Sequence, residues 1–305
     1  MSPKLLIVNC DDFGQSPPMN AAIMHLLEER KVSSATLMAP APGFREAAEW
    51  SAKKGLDNIG LHLTLTSEFD AIRWRSLTGH PSLHDDSGYM HHTVAEFERK
   101  ADTVAVMAEL RAQYDAVRGY GIRITHADNH MGSLYGTATG RSHIPQALRQ
   151  CAKWGVPFRL FRNVHPEDPL LAGIPGVERI VAKASSLAGV LGVPVPDYLL
   201  SHPFEVLPGE TYETFKQSLI AKLYRLPDGI SETYIHPAID DAAMQAGVPH
   251  WEKRVWEYRL MLDDDFGYAI RDAGVMLTDY RYIQKHGKVS RLKSAWTLAR
   301  ELLRR

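Results

Sequence analysis

The stretch LLIVNCDDFG, residues 5–14, sets four apolar residues ahead of an asparagine, a cysteine and two adjacent carboxylates, Asp11 and Asp12. A short apolar run closed by turn residues reads as a buried strand of a parallel sheet. Like charges side by side repel, and buried carboxylates shift their pKa or take partners. Either this pair sits in water or something cationic sits with it. A plainer reading makes a strand-end Asp pair the N-cap of the next helix.

Outward from this strand, short apolar runs alternate with runs of helical period. PPMNAAIMHLLEERK reads as a helix, SATLMA as a strand, FREAAEWSAKK as a helix and IGLHLTL as a third strand. TVAEFERKADTVAVMAELRAQYDAVR reads as one long helix. RITHADN, VPFRLF, DYLLSH, ETYIHP and GVMLTDY continue the strand series, with helices such as IPQALRQCAKWG and YETFKQSLIAKLYRL between them. The alternation predicts a mainly parallel sheet with helical crossovers. Seven to nine strand candidates favour an α/β fold of TIM-like, deformed (β/α) barrel type, with a doubly wound sheet as the alternative. No repeat or linker divides residues 1–305, so a single domain is expected. Residues 67–92, polar and carrying four histidines, read as an insertion over the site. Residues 286–305 read as a basic C-terminal helix.

Composition narrows the class. Apolar residues make up 45% and charged residues 23%, and the net charge is -1. This balance gives no reason to expect nucleic acid or an acidic membrane as partner. Two cysteines, Cys10 and Cys151, make no disulfide framework, which favours a reduced, cytoplasmic setting. The N-terminal apolar run is too short for a signal-peptide core. No segment approaches a membrane span.

Polar clusters fall at the ends of four predicted strands: Asp11–Asp12, then His62 in GLHLTLT, then His126, Asp128 and His130 in THADNH, then His236 in YIHPAID. In a parallel α/β fold the C-terminal strand ends share one rim, where active sites sit. Residues far apart in sequence therefore meet there. A carboxylate and two neutral imidazoles suit a divalent metal with open positions. Such a metal neutralises one aspartate and leaves the other as a base. On a strand, His-x-Asp-x-His puts all three side chains on one face. Asp128 is placed to accept from a ligand histidine's second nitrogen. A lone histidine such as His62 also reads as a packed core residue. The triplet DFG occurs in protein kinases, but no glycine-rich loop or H-R-D loop accompanies it here. A second DDFG, Asp264–Gly267, reads as an acidic cluster at a helix end.

NCDDFGQSPPMNAAI, GLHLTLT, THADNHMGSLY and YIHPAID together resemble the motifs of the YdjC-like, ChbG-type carbohydrate deacetylases. The resemblance runs from about residue 4 to 283. It implies a deformed (β/α) barrel and metal-dependent removal of an acetyl group from an N-acetylated sugar. It further implies Asp12, His62 and His130 as metal ligands and Asp11 as general base. His236 is then the acid or oxyanion-side partner, with His126 and Asp128 behind the ligands. The cofactor is a divalent ion, Mg²⁺ or Zn²⁺, and a homodimer is a family-level expectation. Two departures stand out. Cys10 replaces a usual alanine, and Asn129 and Met131 stand where Ser and a further His are common. Trp74, Tyr89 and Arg159 are candidates for holding the sugar. Two rival readings remain open from the residues: a non-haem iron oxygenase built on two His and one carboxylate, and a non-catalytic metal- or sugar-binding protein on the same fold.

Overall fold

β1 (Lys4–Phe13) is buried at every position after its first. The reason is its place in the sheet. Lys4–Cys10 pair with β6 (Gly229–Ile235), the second half with β2 (Ser34–Leu37) and Lys4–Leu6 with β7 (Val275–Leu277), all parallel. β3 (Ile59–Leu63), β4 (Ala127–Asn129) and β5 (Tyr198–Leu199) complete the order β4-β3-β2-β1-β6-β5. The computed structural model describes residues 3–165, 168–171, 174–287 and 289–303.

The sheet curls. Ala127 bridges in parallel to Phe158, and Asn163 bridges to Tyr198, so the segment 158–163 spans from β4 to β5. Where VPFRLF is predicted as a regular strand, Phe158 makes a single bridge to β4, and Asn163, just beyond it, makes the bridge to β5. The result is the expected deformed (β/α) barrel. Helices surround it: α1 (Pro17–Glu28), α2 (Phe44–Lys54), α3 (Val94–Lys100), α4 (Thr103–Gly119), α5 (Ile144–Trp154) and α6 (Val177–Leu191). There follow α7 (Tyr212–Tyr224), α8 (Ala242–Gly247), α9 (Trp251–Leu262), α10 (Asp264–Asp272), α11 (Tyr280–His286) and α12 (Arg291–Leu303).

The long helix predicted over 93–118 is two helices. Ala101 is extended, and the Asp102 side chain accepts from the amides of Val104 and Ala105, capping α4. An aspartate that can satisfy free amides at a helix start outcompetes continuation of the preceding helix. The second DDFG opens α10, where Asp264 and Asp265 occupy the first turn and suit the positive end of the helix.

Strand alternation sorts the side chains. Leu6, Val8 and Cys10 face the helices and join a core with Ile23, Leu26, Leu61 and Leu63. Asn9 and Asp11 face the barrel interior, as do His62 on β3 and Glu232 on β6. Both cysteines are buried and free. α12 lies along α6, where Gly189 leaves room for Ser294 and Arg179 donates to the Glu301 carbonyl at 3.3 Å. Among the described residues, no helix is long and apolar enough to cross a membrane.

Candidate active site and metal centre

Adjacent strand residues point to opposite faces, so Asp11 and Asp12 should diverge. They do not, because the β1–β2 register shifts between Cys10 and Phe13, and Asp12 lies at φ 61°. This bulge breaks the alternation and turns both carboxylates into one site. The left-handed backbone is costly for a non-glycine residue, a feature that recurs at functional sites. The N-cap reading of the pair fails: α1 is preceded by Ser16, and both aspartates belong to β1.

Asp12, His62 and His130 bring one ligand atom each within 4.8 Å of one another. Asp12 Oδ1 lies 3.3 Å from His62 Nε2 and 3.1 Å from His130 Nδ1, and the two ring nitrogens are 3.3 Å apart. His130 gets there because β4 ends at Asn129 and Met131 takes φ 53°. The outer nitrogens are also held. His62 Nδ1 is 2.7 Å from Asp128 Oδ1, and His130 Nε2 is 2.9 Å from Glu68 Oε2. Carboxylates behind imidazoles orient the rings and raise their basicity as ligands.

This donor set fits a divalent cation. Asp11, Asp12, Asp128, Glu68 and Glu232 bring five carboxyl groups against the guanidiniums of Arg159 and Arg254. The imidazoles feel that excess. Burial alone lowers the pKa of His62, but Asp128, Asp12 and Asp11 outweigh it and raise it to about 10. His130 is likewise raised to about 9 by Glu68 and Asp12 against burial. Asp12 is held well below the carboxylate range, because His130 and His62 overcome its desolvation. Groups that attract protons this strongly attract a cation for the same reason. Asp11, His62 and Asp128 also bring one ligand atom each within 4.8 Å of one another. Both Asp11 oxygens and Asp128 Oδ2, however, already pair with Arg159, and Asp128 Oδ1 with His62 Nδ1, so the first set is the better cage.

Arg159 is the centre of the buried interior. Its Nη1 donates to Asp11 Oδ2 at 2.6 Å and its Nη2 to Asp11 Oδ1 at 2.7 Å. Nη2 also lies 3.0 Å from Asp128 Oδ2, and Nε donates to Glu232 Oε1 at 2.9 Å. Burial, stronger than Arg159's pull, raises Glu232 to about 7, and the Tyr280 hydroxyl donates to its other oxygen. Asn9 donates to Asp11 Oδ1 at 2.8 Å and Thr36 donates to Asp128 Oδ2 at 2.9 Å. His126 sits one bond further out. Its Nε2 is 3.1 Å from Asn9 Oδ1, its ring stacks on Tyr280 at 3.9 Å, and burial lowers its pKa to about 3. Gly60 makes room for it, since a Cβ there would meet the ring at 2.5 Å.

His236, at the end of β6, faces Asp11 Oδ2 from 4.0 Å, and its amide donates to Glu257 at 2.7 Å. Burial lowers its pKa. From the stretch 67–92, Glu68 reaches His130 and the Trp74 ring stands edge-on to it at 5.8 Å. Trp74 is buried, with its indole N–H on the Thr66 carbonyl at 2.8 Å. Tyr89 packs under the guanidiniums of Arg73 and Arg75. Arg159 is occupied by carboxylates inside the barrel.

Several site residues escape the sequence reading. Glu232 and Tyr234, whose ring lies 4.7 Å from the Arg159 guanidinium, share the alternation of His236, and that period of two is the signal that could have found them. Asn9 precedes Asp11 by the same step. Arg254, which donates to Asp12 Oδ2 at 3.1 Å, and Glu68 carry no such pattern.

The profile described as YdjC-like protein matches residues 5–272. A curated protein of Geobacillus stearothermophilus named carbohydrate deacetylase is 26% identical over 93% of this chain and 99% of its own. One of Enterococcus faecalis (strain ATCC 700802 / V583), of the same name, is 28% identical over 92% and 98%. A crystal structure from Enterococcus faecalis V583, of a proposed cellobiose-phosphate cleavage protein, superposes with a TM-score of 0.71. It is 26% identical and covers 92% of this chain and 98% of its own. The profile takes in β1 through α10, and with them every strand end that carries a site residue: this chain belongs to the YdjC-like protein family.

Proposed function

We propose that this protein is a carbohydrate deacetylase that hydrolyses the N-acetyl group of an acetylated amino sugar or chitooligosaccharide with a divalent metal held by Asp12, His62 and His130. The observation that carries this reading is the convergence of those three donors beside a second carboxylate, Asp11, gripped by Arg159. The curated relatives' name supports the reaction class. Between Mg²⁺ and Zn²⁺, two imidazoles favour Zn²⁺ on ligand softness.

A divalent ion in this cage supplies Lewis acidity for the attacking water and the acetyl carbonyl. The chain's own groups do the rest. Asp11, aimed by Arg159 and Asn9, takes a proton from the attacking water. His236, 4.0 Å across the site from Asp11 and kept neutral at rest by burial, takes up the proton that Asp11 received and passes it to the departing amine as the C–N bond breaks. Arg159 acts through Asp11 and so is a positioning residue here. Trp74 walls the His130 side against water. Cys10 and Cys151, buried and free, suit a reducing cytoplasm.

The test is acetate release from N,N'-diacetylchitobiose by the purified protein, with EDTA, with metals restored, and with Asp11→Asn. Metal-dependent release lost in Asp11→Asn is expected. Cleavage of the glycosidic bond that ignores EDTA would replace this reading, since that chemistry needs two carboxylates and no metal.

A further inference from the structure

α12 is amphipathic the wrong way round. Its inner face, toward α6, carries Ser294, Thr297, Leu298 and Glu301, and Glu301 is 3% exposed. Its outer face carries Leu292, Trp296, Ala299 and Leu303 at positions i, i+4, i+7 and i+11, one continuous stripe on a helix. Leu292 is 79% exposed, Trp296 79% and Leu303 82%. An apolar stripe of this size turned to water marks an interaction surface.

We infer that α12 is an interfacial helix that seats this protein on an anionic lipid bilayer surface. The flanks of the stripe choose the occupant. Lys293 and Arg300 border it on one side, and both are exposed, although Arg300 Nε also lies 3.4 Å from Glu301 Oε1. The stretch 285–305 holds seven Lys and Arg against one Glu, and that Glu is Glu301, turned inward. The chain's net charge of -1 hides this local excess. Trp and Leu on one face with basic residues beside them are the features of a helix lying in the headgroup boundary. A second copy is the poorer occupant. A two-fold contact brings the same patch against itself, and this helix offers cations with no exposed carboxylate to meet them. The inference is independent of the reaction, since none of these residues belongs to the candidate site.

The full chain would be sedimented with vesicles of equal parts phosphatidylglycerol and phosphatidylcholine, and with phosphatidylcholine alone. Co-sedimentation with the anionic vesicles, weakening as salt rises, is expected. The tryptophan emission should shift to the blue, and the shift should vanish in Trp296→Phe while binding persists. The combined variant Leu292→Gln, Trp296→Gln, Leu303→Gln should lose at least about a hundredfold in partitioning, the order expected from three large apolar groups. Its thermal melt should be unchanged, because these side chains are exposed. Equal sedimentation of wild type and triple variant would overturn the inference. So would absence of vesicle binding together with a dimer that the triple variant dissolves, or binding to a DNA duplex and not to vesicles.

Discussion

Arg159 clamps Asp11 through two parallel hydrogen bonds, Nη1 to Oδ2 at 2.6 Å and Nη2 to Oδ1 at 2.7 Å. The pair is fully inside the barrel, where such a fork fixes a carboxylate's direction. It also compensates charge, because Asp128 and Glu232 share the same guanidinium. Arg159→Met therefore leaves buried carboxylates unpaired. Loss of about 3–5 kcal/mol of stability is expected, read as a lower urea midpoint. Arg159→Lys keeps the charge and loses the fork, so it should fold and still lose turnover.

Glu68 holds His130 from outside the ligand cage. Removing such an outer acceptor typically costs roughly 10–100-fold in metal affinity. Glu68→Ala is expected to show that loss by calorimetric titration with Zn²⁺, with the thermal melt of the chelated protein unchanged. An unaltered affinity would separate Glu68 from the metal centre.

The three histidines at the site should not be equal. On the proposed roles, His62→Ala and His130→Ala each remove a metal ligand, whereas His236→Ala removes acid–base help, typically worth about 10²–10⁴ in rate. At saturating metal the first two should lose more acetate release than the third. Equal or reversed losses would reassign these roles.

Glu232 gives a signed pH dependence. Its folded pKa is raised from the ordinary 4.5 to about 7 by burial. Between those values the folded chain keeps a proton that the unfolded chain gives up. Stability from this group is therefore full below about pH 4.5 and falls as pH rises to about 7, by on the order of 3 kcal/mol. Glu232→Gln cannot lose a proton. The difference in unfolding free energy between wild type and Glu232→Gln, followed from pH 4.5 to 7.5, should show that fall.

The residues alone determined the barrel's strand series and most of the rim. Buried strands of parallel sheet are continuous apolar runs, and that signal is local, so KLLIVN, IGLHLTL and ETYIHP declare themselves. Parallel topology then sends all their C-terminal ends to one side, which brings Asp11, Asp12, His62, Asp128, His130 and His236 into one neighbourhood from sequence order and motif alone. Only the tertiary structure decided how they face. Strand alternation sends Asp11 and Asp12 apart, and the bulge at Asp12, a backbone choice made by pairing with β2, turns them together. Arg159, in the strand candidate VPFRLF, reads as a residue free to touch a sugar. Its partners Asp11, Asp128 and Glu232 come from three other strands, and no local pattern announces a contact across 148 residues. Glu68 and Arg254 are likewise set by long-range packing. The break at Asp102 went unread because helical period survives on both sides of a cap. Local periodicity writes the elements, and the meeting of charges from different elements in one desolvated interior makes the site.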